Sequence, residues 1–445
     1  MTQVNNIQYD TLEDIFLRSS SKNLDKTGFV TFFKDVFGVD SRHKFPNKFD
    51  VWPVKEQCDW IYQNITNFFP NVPQSLLNLI PATFCEIDFY DRSPQEIPKW
   101  MDLHKYRRGQ KFVEKNYMAI IMSTIMGLIY VYAFGEELRP LVLGEHSHTP
   151  YLAFRKYSST IKRMISWYKG DPWIKGTEAY KDMQVTRRMH LAVKKKVRQM
   201  DHKQMASACI FANPWSLDRE LLLKDFVSAC PPEKFGQRYY TITRKSQKKS
   251  KGMNNMDFAI AQSAFVVLPL LYPQNIGIYN ATDEDLEAFS HMWQCYGYFL
   301  GQDDEHNICR GNFEEVKQRL RDLYQYWIKE NFKELTPEFE HITRCLIEHV
   351  NYYPILYLPY KTGMLLTAEA LNLNMPYLHA SLSYGEWIAY KIYKFLIYAL
   401  RFSSVRSVIN KIILKILDKA VNFNIEKLAE IHEKSKKLVP DFSLT

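Results

Sequence analysis

His190 is the residue whose type and position most directly suggest chemistry. It lies in a segment, 178–200, where apolar residues recur at gaps of three and four, so it shares one helical stripe with Met183 and Val197. A neutral imidazole among apolar side chains needs a partner for each ring nitrogen. A neighbouring polar group would make it an ordinary core histidine, whereas iron on one nitrogen and a hydrogen bond on the other would make it a metal ligand. The spacing leaves both interpretations open, and a core histidine is the commoner case.

Other catalytic patterns are absent or poorly placed. The sequence has no G-x-S-x-G, no H-E-x-x-H, no H-x-E followed by P-C-x-x-C, and neither glycine-rich phosphate motif. Glu145–His148 and Glu338–His341 have the E-x-x-H spacing of di-iron bundles. The first pair falls in a connection, where His146 is also expected to be exposed. The second begins in a first helical turn, where the dipole favours an acid in any case. A di-iron centre is therefore not favoured.

The composition argues against several other classes of protein. The 445 residues include 58 Lys and Arg against 49 Asp and Glu, a net charge of +9 spread along the chain, so no nucleic-acid partner is expected. The densest basic run, 244–251, is typical of a solvated loop. Seven cysteines without a C-x-x-C pair favour a reducing environment. The first twenty residues lack the pattern of a secretory signal, so we expect a protein that faces the cytosol.

Helical patterns dominate the chain and period-two alternation is scarce, which predicts an all-α fold. Threonine, alone or followed by proline, is a favoured helix start, and three predicted helices have one. These helices cover 151–168, 283–300 and 337–350, and they begin after Thr149, Thr282 and Thr336.

The run 117–134 contains eighteen residues without a charge, which is the lower limit for spanning a bilayer. Ser123, Thr124, Gly127 and three tyrosines interrupt its apolar character, so we favour a buried core helix. A transmembrane helix, and with it a membrane scaffold, is the alternative.

The segment 391–423 alternates Lys and Arg with Ile, Leu and Phe, which is typical of a basic helix lying on a membrane surface. An ordinary helix docked on the protein fits the same pattern equally well. The sequence thus offers a bilayer surface as one partner and leaves the docked helix open.

Four segments in a fixed order carry a family resemblance. They are TPYLAFRKYSSTIKRMISWY, then VTRRMH at 185–190, then MNNMDFAIAQSAFVVLPLLYP, and finally EDLEAFSHMWQCYGYFLGQDDEHNIC. Together they resemble the haem-b oxygenases that include latex-clearing protein, a rubber oxygenase, and the endoplasmic-reticulum-bound oxygenase of mycophenolic acid biosynthesis. They look closest to the insect members. The resemblance covers roughly residues 95–390.

The resemblance implies a globin-reminiscent helical bundle around a b-type haem. This catalytic domain would span 96–390, between an N-terminal helical extension, 1–95, and a basic amphipathic tail, 391–445. The iron ligand would be His190, the histidine of the family's M-H motif. Arg187 lies one turn earlier, where it could pair with a haem propionate, although a solvated arginine is the alternative.

The resemblance also implies residues on the opposite, distal side of the haem. The family's threonine falls on Thr160, and its arginine falls on Lys156 or, one residue off, on Arg155. The family's lysine falls on Ser159, so this chain lacks an amine able to ligate iron in a closed state. Its absence implies either that oxygen access is permanently open or that the substrate differs from rubber.

The expected activity is oxidative cleavage of a carbon–carbon double bond in a polyprenoid or unsaturated lipid, with O2 as co-substrate and two carbonyl products. A non-catalytic haem-binding or lipid-binding protein that keeps the pocket is the alternative. We expect a peripheral protein on the cytosolic face of the endoplasmic reticulum, with the cytoplasm as the alternative. The oligomeric state stays open.

Overall fold

The computed structural model describes residues 24–38, 45–89, 92–243 and 252–439. Within these ranges the chain is helical and forms no β-strand, and its only extended pairings are isolated bridges at Leu24–Cys85 and Glu86–Asn254. The prediction of an all-α fold is confirmed. The expectations for the basic run at 244–251 and for the first twenty residues lie outside the described residues.

The first half of the chain runs from an aromatic N-terminal region to a long helical hairpin. In order, its helices are α1 (Lys26–Phe37), α2 (Val54–Gln63), α3 (Ile65–Phe68), α4 (Leu79–Ala82), α5 (Leu103–Lys115), α6 (Tyr117–Val131), α7 (Gly135–Leu143), α8 (Pro150–Lys169), α9 (Glu178–Gln199), α10 (His202–Ala208) and α11 (Arg219–Ala229).

The second half completes the core and ends in three consecutive helices. Its helices are α12 (Tyr239–Thr243), α13 (Asn255–Leu271), α14 (Asp283–Phe299), α15 (Phe313–Leu323), α16 (Lys329–Asn331), α17 (Pro337–Glu348), α18 (Tyr360–Ala370), α19 (Pro376–Ala380), α20 (Tyr384–Ala399), α21 (Ser403–Val421) and α22 (Ile425–Leu438).

The three predicted threonine starts are confirmed. Thr149 accepts the backbone N–H of Leu152 at 3.3 Å, and the side chains of Thr282 and Thr336 cap α14 and α17 in the same manner. Each hydroxyl satisfies an amide that a helix start leaves without an internal partner. The last of these helices is shorter than predicted, because α17 ends at Glu348 and continues as one 3-10 turn.

Two pairs of helices in close contact form the centre of the molecule. Helix α6 packs along α13, and α5 packs along α14. Each pair meets at a glycine: an added Cβ on Gly127 would lie 1.8 Å from the carbonyl oxygen of Ala264, and one on Gly109 would lie 2.6 Å from that of Ala288. The missing side chains therefore allow backbone to approach backbone.

The uncharged run 117–134 forms α6 and the turn after it, and most of its residues are buried within the protein. No single helix in the described ranges is both long and apolar enough to cross a membrane. Only the pair of α5 and α6 passes that test of length and composition jointly, and the two are bent by 93°. The extensive contact with α13 agrees with the prediction of a core helix.

The bend between α5 and α6 is where the C-terminal region docks. Asn410 of α21 accepts the backbone N–H of Met118 at 3.0 Å and donates to the carbonyl of Lys115 at 2.9 Å. One side chain thus supplies hydrogen-bond partners for backbone groups that the bend removes from the regular helical pattern. The predicted tail 391–423 is therefore not one helix: α20 ends at Ala399, and α21 packs against α6 and α8.

The N-terminal region shares the main core with the rest of the chain. Phe29, Phe33 and Phe37 of α1 stack in a cluster with Phe68 and Phe69, and this cluster is continuous with the buried residues of α6, α13 and α14. Residues 1–95, predicted as an extension, thus contribute apolar surface to the common interior wherever they are described.

Gly127→Ala tests the close approach of α6 to α13. The added methyl group has no space beside the Ala264 carbonyl, so we expect a loss of about 1–3 kcal/mol or more in the free energy of unfolding, measured by urea denaturation. Gly135→Ala is the matched control, because an added Cβ there meets nothing within 4 Å. Equal stability of the two variants would contradict the packing argument.

Candidate functional site

Helices α8 and α9 form an antiparallel hairpin through the connection at 170–177 and hold the sequence-predicted site residues on facing surfaces. Near the connection, Ser166 Oγ donates to Asp182 Oδ2 at 2.6 Å. Further along the hairpin, Lys156 of α8 lies close enough to His190 of α9 for its charge to be one of the two causes that lower the pKa of His190. The structure thus brings together two residues that are 34 positions apart in the chain.

His190 lies in a dry setting with unused hydrogen-bonding capacity. Burial, and then the charge of Lys156, lower the pKa of His190 to about 4, so the ring is neutral at neutral pH. Its Nδ1 is enclosed without a hydrogen-bond partner among the described residues. Phe258 meets the ring edge-on with centroids 5.2 Å apart, and Phe89 lies 6.5 Å away. The side chain is nevertheless only half-buried by exposed area.

Lys156 is a predicted distal residue on α8. Its Nζ donates to Ser147 Oγ at 3.1 Å, and Ser147 itself is completely buried. Burial lowers the pKa of Lys156 to about 7, so its ammonium and amine forms are both populated near neutrality. The adjacent Tyr157 hydroxyl shares a hydrogen bond of 2.8 Å with that of Tyr132. Lys156 is half-buried by exposed area, so it is not a freely solvated surface lysine.

The other two predicted distal residues are placed differently. The Thr160 side chain is half-buried, and its hydroxyl donates to the carbonyl of Lys156 at 3.0 Å, so its proton is already engaged within α8. Its lone pairs stay available to accept a hydrogen bond. Arg155 is exposed, one residue round the helix from Lys156, and Ser159 is half-buried on the α9 side.

Arg187 is buried, which overturns the alternative of a solvated arginine. Its Nη2 donates to the carbonyls of Phe89 and Arg92, at 2.9 and 3.2 Å. Its Nη1 is buried without a partner among the described residues. Burial lowers the pKa of Arg187, yet the group stays charged, so one nitrogen anchors the chain while the other can take an anionic oxygen.

Lys194 of α9 points inward, although its amphipathic pattern favours the solvent side. The lysine is buried, its Nζ lies 3.1 Å from Glu86 Oε2, and its ammonium sits over the Phe89 ring. Arg187 and Lys194 lie two turns apart on α9. Together they hold the segment before residue 90 against this helix. Arg187 and Lys194 share one helical face, and this spacing is the signal in the sequence. Placing every Lys and Arg on the solvent side hides that signal.

Three of the other histidines make hydrogen bonds within the fold. His148 contacts the Val142 carbonyl at 2.7 Å, and the two ring nitrogens of His341 contact the His148 carbonyl and the Trp215 amide, both at 2.8 Å. His291 accepts the Asp102 amide at 3.0 Å. In the described part of the chain no three His, Cys, Asp or Glu side chains are grouped as metal ligands. The E-x-x-H pairs therefore serve the fold.

A separate apolar cavity lies on the other side of α8. Its volume of about 70 Å³ is room for several water molecules or a short stretch of hydrocarbon. Ile161, which lines it, is five residues and hence about 140° round the helix from Lys156. Other lining residues come from α6, α18, α20 and α21, and include Met122, Ile125, Leu366, Tyr393 and Ile413.

No family model, no curated protein and no solved structure matches this chain. The resemblance to the haem-b oxygenases therefore stays a prediction, and the residues themselves provide the test of fit. A b-type haem needs a neutral imidazole with a free nitrogen, apolar walls and a cation for its propionates. His190, the rings of Phe89 and Phe258, and Arg187 Nη1 are the residues that would supply these groups.

Lys156→Met tests the buried amine through pH. The unfolded chain keeps this proton up to about pH 10.5, whereas the folded chain releases it near pH 7, so between these values the wild type gains stability as pH rises. The variant lacks this gain, so we expect its advantage in unfolding free energy to be largest near pH 7 and to shrink towards pH 10. Lys162→Met, exposed on the same helix, should show no such trend. Parallel pH profiles for Lys156→Met and wild type would exclude a buried titration.

Proposed function

We propose that the chain is a haem-dependent oxygenase that cleaves a carbon–carbon double bond of a hydrophobic substrate, a polyprenoid or an unsaturated lipid, to carbonyl products. The observation that carries the proposal is the enclosed Nδ1 of His190, which has no hydrogen-bond partner among the described residues, on a neutral imidazole close enough to Lys156 of α8 to feel its charge. An enclosed ring nitrogen without a partner is compatible with a bound ligand or a functional role.

His190 would hold the haem iron, since only a neutral imidazole has a lone pair to donate. The haem supplies the binding and activation of O2. Arg187 Nη1 would pair with a propionate, while its Nη2 keeps the segment with Phe89 against α9. The rings of Phe89 and Phe258 flank the imidazole.

Lys156 would act on the oxygen co-substrate. Its Nζ, positioned by Ser147, can donate a hydrogen bond or a proton to an oxygen atom that gains negative charge, because its pKa of about 7 makes transfer in either direction feasible. Thr160 can only accept a hydrogen bond there, since its proton is held by α8. The chain has Ser159 where the family has lysine, so Lys156 is the amine on this face of α8.

The second candidate is a lipid-binding protein without catalysis. The observation that favours it is the apolar cavity, whose lining is hydrocarbon almost throughout and which α8 separates from His190. A hydrophobic ligand held there would be remote from the imidazole. Purified protein that lacks haem but binds a fluorescent fatty acid would support this candidate over the oxygenase.

Absorption spectroscopy of purified protein tests the first candidate. We expect a Soret band that shifts with dithionite and CO, and His190→Ala should lose or strongly shift this band while its far-ultraviolet circular dichroism stays helical. His291→Ala is the matched control, because that ring already accepts a backbone amide. An unchanged spectrum in His190→Ala would assign the iron ligand elsewhere, with His291 and His202 the next candidates.

Ligand kinetics test the distal residues. Removal of a hydrogen bond worth about 1.4 kcal/mol should speed O2 dissociation about tenfold in Lys156→Met, and Thr160→Val should also change it, with little effect on haem content. Arg155→Met, whose side chain is exposed, serves as the control. Wild-type rates in both Lys156→Met and Thr160→Val would mean that these residues do not face the ligand.

A further inference from the structure

The outer face of α20 is apolar and open to solvent. Phe395 is 71% exposed and Ile392 60%, and neighbouring side chains along the same face share this character. The other exposed members are Tyr384, Trp387, Ile388 and Tyr398, and Phe402 follows directly after the helix. We call this set the α20 stripe.

Helix geometry shows why the α20 stripe cannot be hidden by the helix itself. At 100° per residue its members fall within about half of the helix circumference, and the buried Tyr390 and Ile397 fall on the opposite half. The inner half packs against α18, where the Tyr390 hydroxyl donates to Glu369 at 2.6 Å. A helix that is apolar all round is normally buried all round. Only one side of α20 is covered.

The charges in the segment of the α20 stripe are mostly positive. Residues 384–402 contain three Lys and Arg and one acid. Lys391 stands at the centre of the α20 stripe, with its ammonium 5.3 Å from the Trp387 ring centroid, and Arg401 lies over the Tyr398 ring at 5.0 Å. Aromatic side chains interleaved with long cationic ones match the interface of a bilayer, where rings sit at the headgroup level and cations reach phosphates.

We propose that the α20 stripe docks the protein on an anionic lipid bilayer. A second copy of the chain is the competing occupant, and Lys391 argues against it. A two-fold contact through this face would bring Lys391 of each copy together at its centre, with no acid in the α20 stripe to pair with them. Lipid phosphates supply that negative charge.

The proposed membrane-binding surface therefore differs from the one that the sequence predicts at 391–423. Half of that segment is α21, whose Ile413, Ile416 and Leu417 are buried against the protein and cannot reach lipid. The bilayer contact falls instead on 384–402, earlier in the chain. The proposal does not depend on haem, since no residue of the α20 stripe takes part in the candidate site.

Vesicle flotation tests this docking surface. The full-length protein should bind vesicles of phosphatidylcholine and phosphatidylserine, bind pure phosphatidylcholine much less, and lose binding as salt screens the lipid charge. Phe395→Asp should lower the partition coefficient at least tenfold, because an apolar anchor becomes an anion. Phe235→Asp is the matched control, since Phe235 is equally exposed, at 72%, and lies far from α20 in the sequence.

Three outcomes would overturn the proposal: no binding to anionic vesicles, equal loss in Phe395→Asp and Phe235→Asp, or a wild-type dimer in light scattering that Phe395→Asp converts to a monomer. The last would assign the α20 stripe to a second copy. Circular dichroism of each variant verifies folding. The Soret band should be the same in all of them, so failure here is distinguishable from failure of the oxygenase proposal.

Discussion

The contact of α6 with α13 at Gly127 is the constraint on which the rest of the fold depends. The backbone of α6 meets the carbonyl of Ala264 there without an intervening side chain. Gly109 allows the same close approach of α5 to α14. Because α5 and α6 are joined by a 93° bend, these two contacts fix four helices relative to one another. The hairpin of α8 and α9 attaches to these four helices. One of the contacts is the hydrogen bond that the Tyr296 hydroxyl of α14 donates to the Trp167 carbonyl at 2.9 Å.

The sequence predicts those parts of the fold that local chemistry decides. Thr149, Thr282 and Thr336 mark helix starts because each cap is made within three residues of itself. The run 117–134 shows where prediction ends: its apolarity fits a membrane helix as well as a core helix. What separates the two is a partner, α13, more than a hundred residues away, which no local pattern contains.

The candidate site is likewise predicted only in part from the sequence. The apolar stripe of α9 singles out His190, and the family resemblance adds Lys156, Thr160 and Arg187. Neither source gives Ser147, which holds the amine, or Phe89, which flanks the imidazole, since both lie in connections whose course depends on tertiary contacts. The buried positions of Arg187 and Lys194 are not predicted for a related reason. The carbonyls that accept their hydrogen bonds belong to a segment about a hundred residues earlier.

Helix α8 has Lys156 on one face and Ile161, which lines the apolar cavity, on another. A substitution at either position alters the surroundings of one face alone. An insertion or deletion of a single residue between Thr149 and Lys156 is different in kind, because it rotates everything downstream by about 100° and disturbs both faces at once. The spacing of these almost two turns of helix is thus more tightly constrained than the identity of any residue within it, and indels in related chains should avoid it.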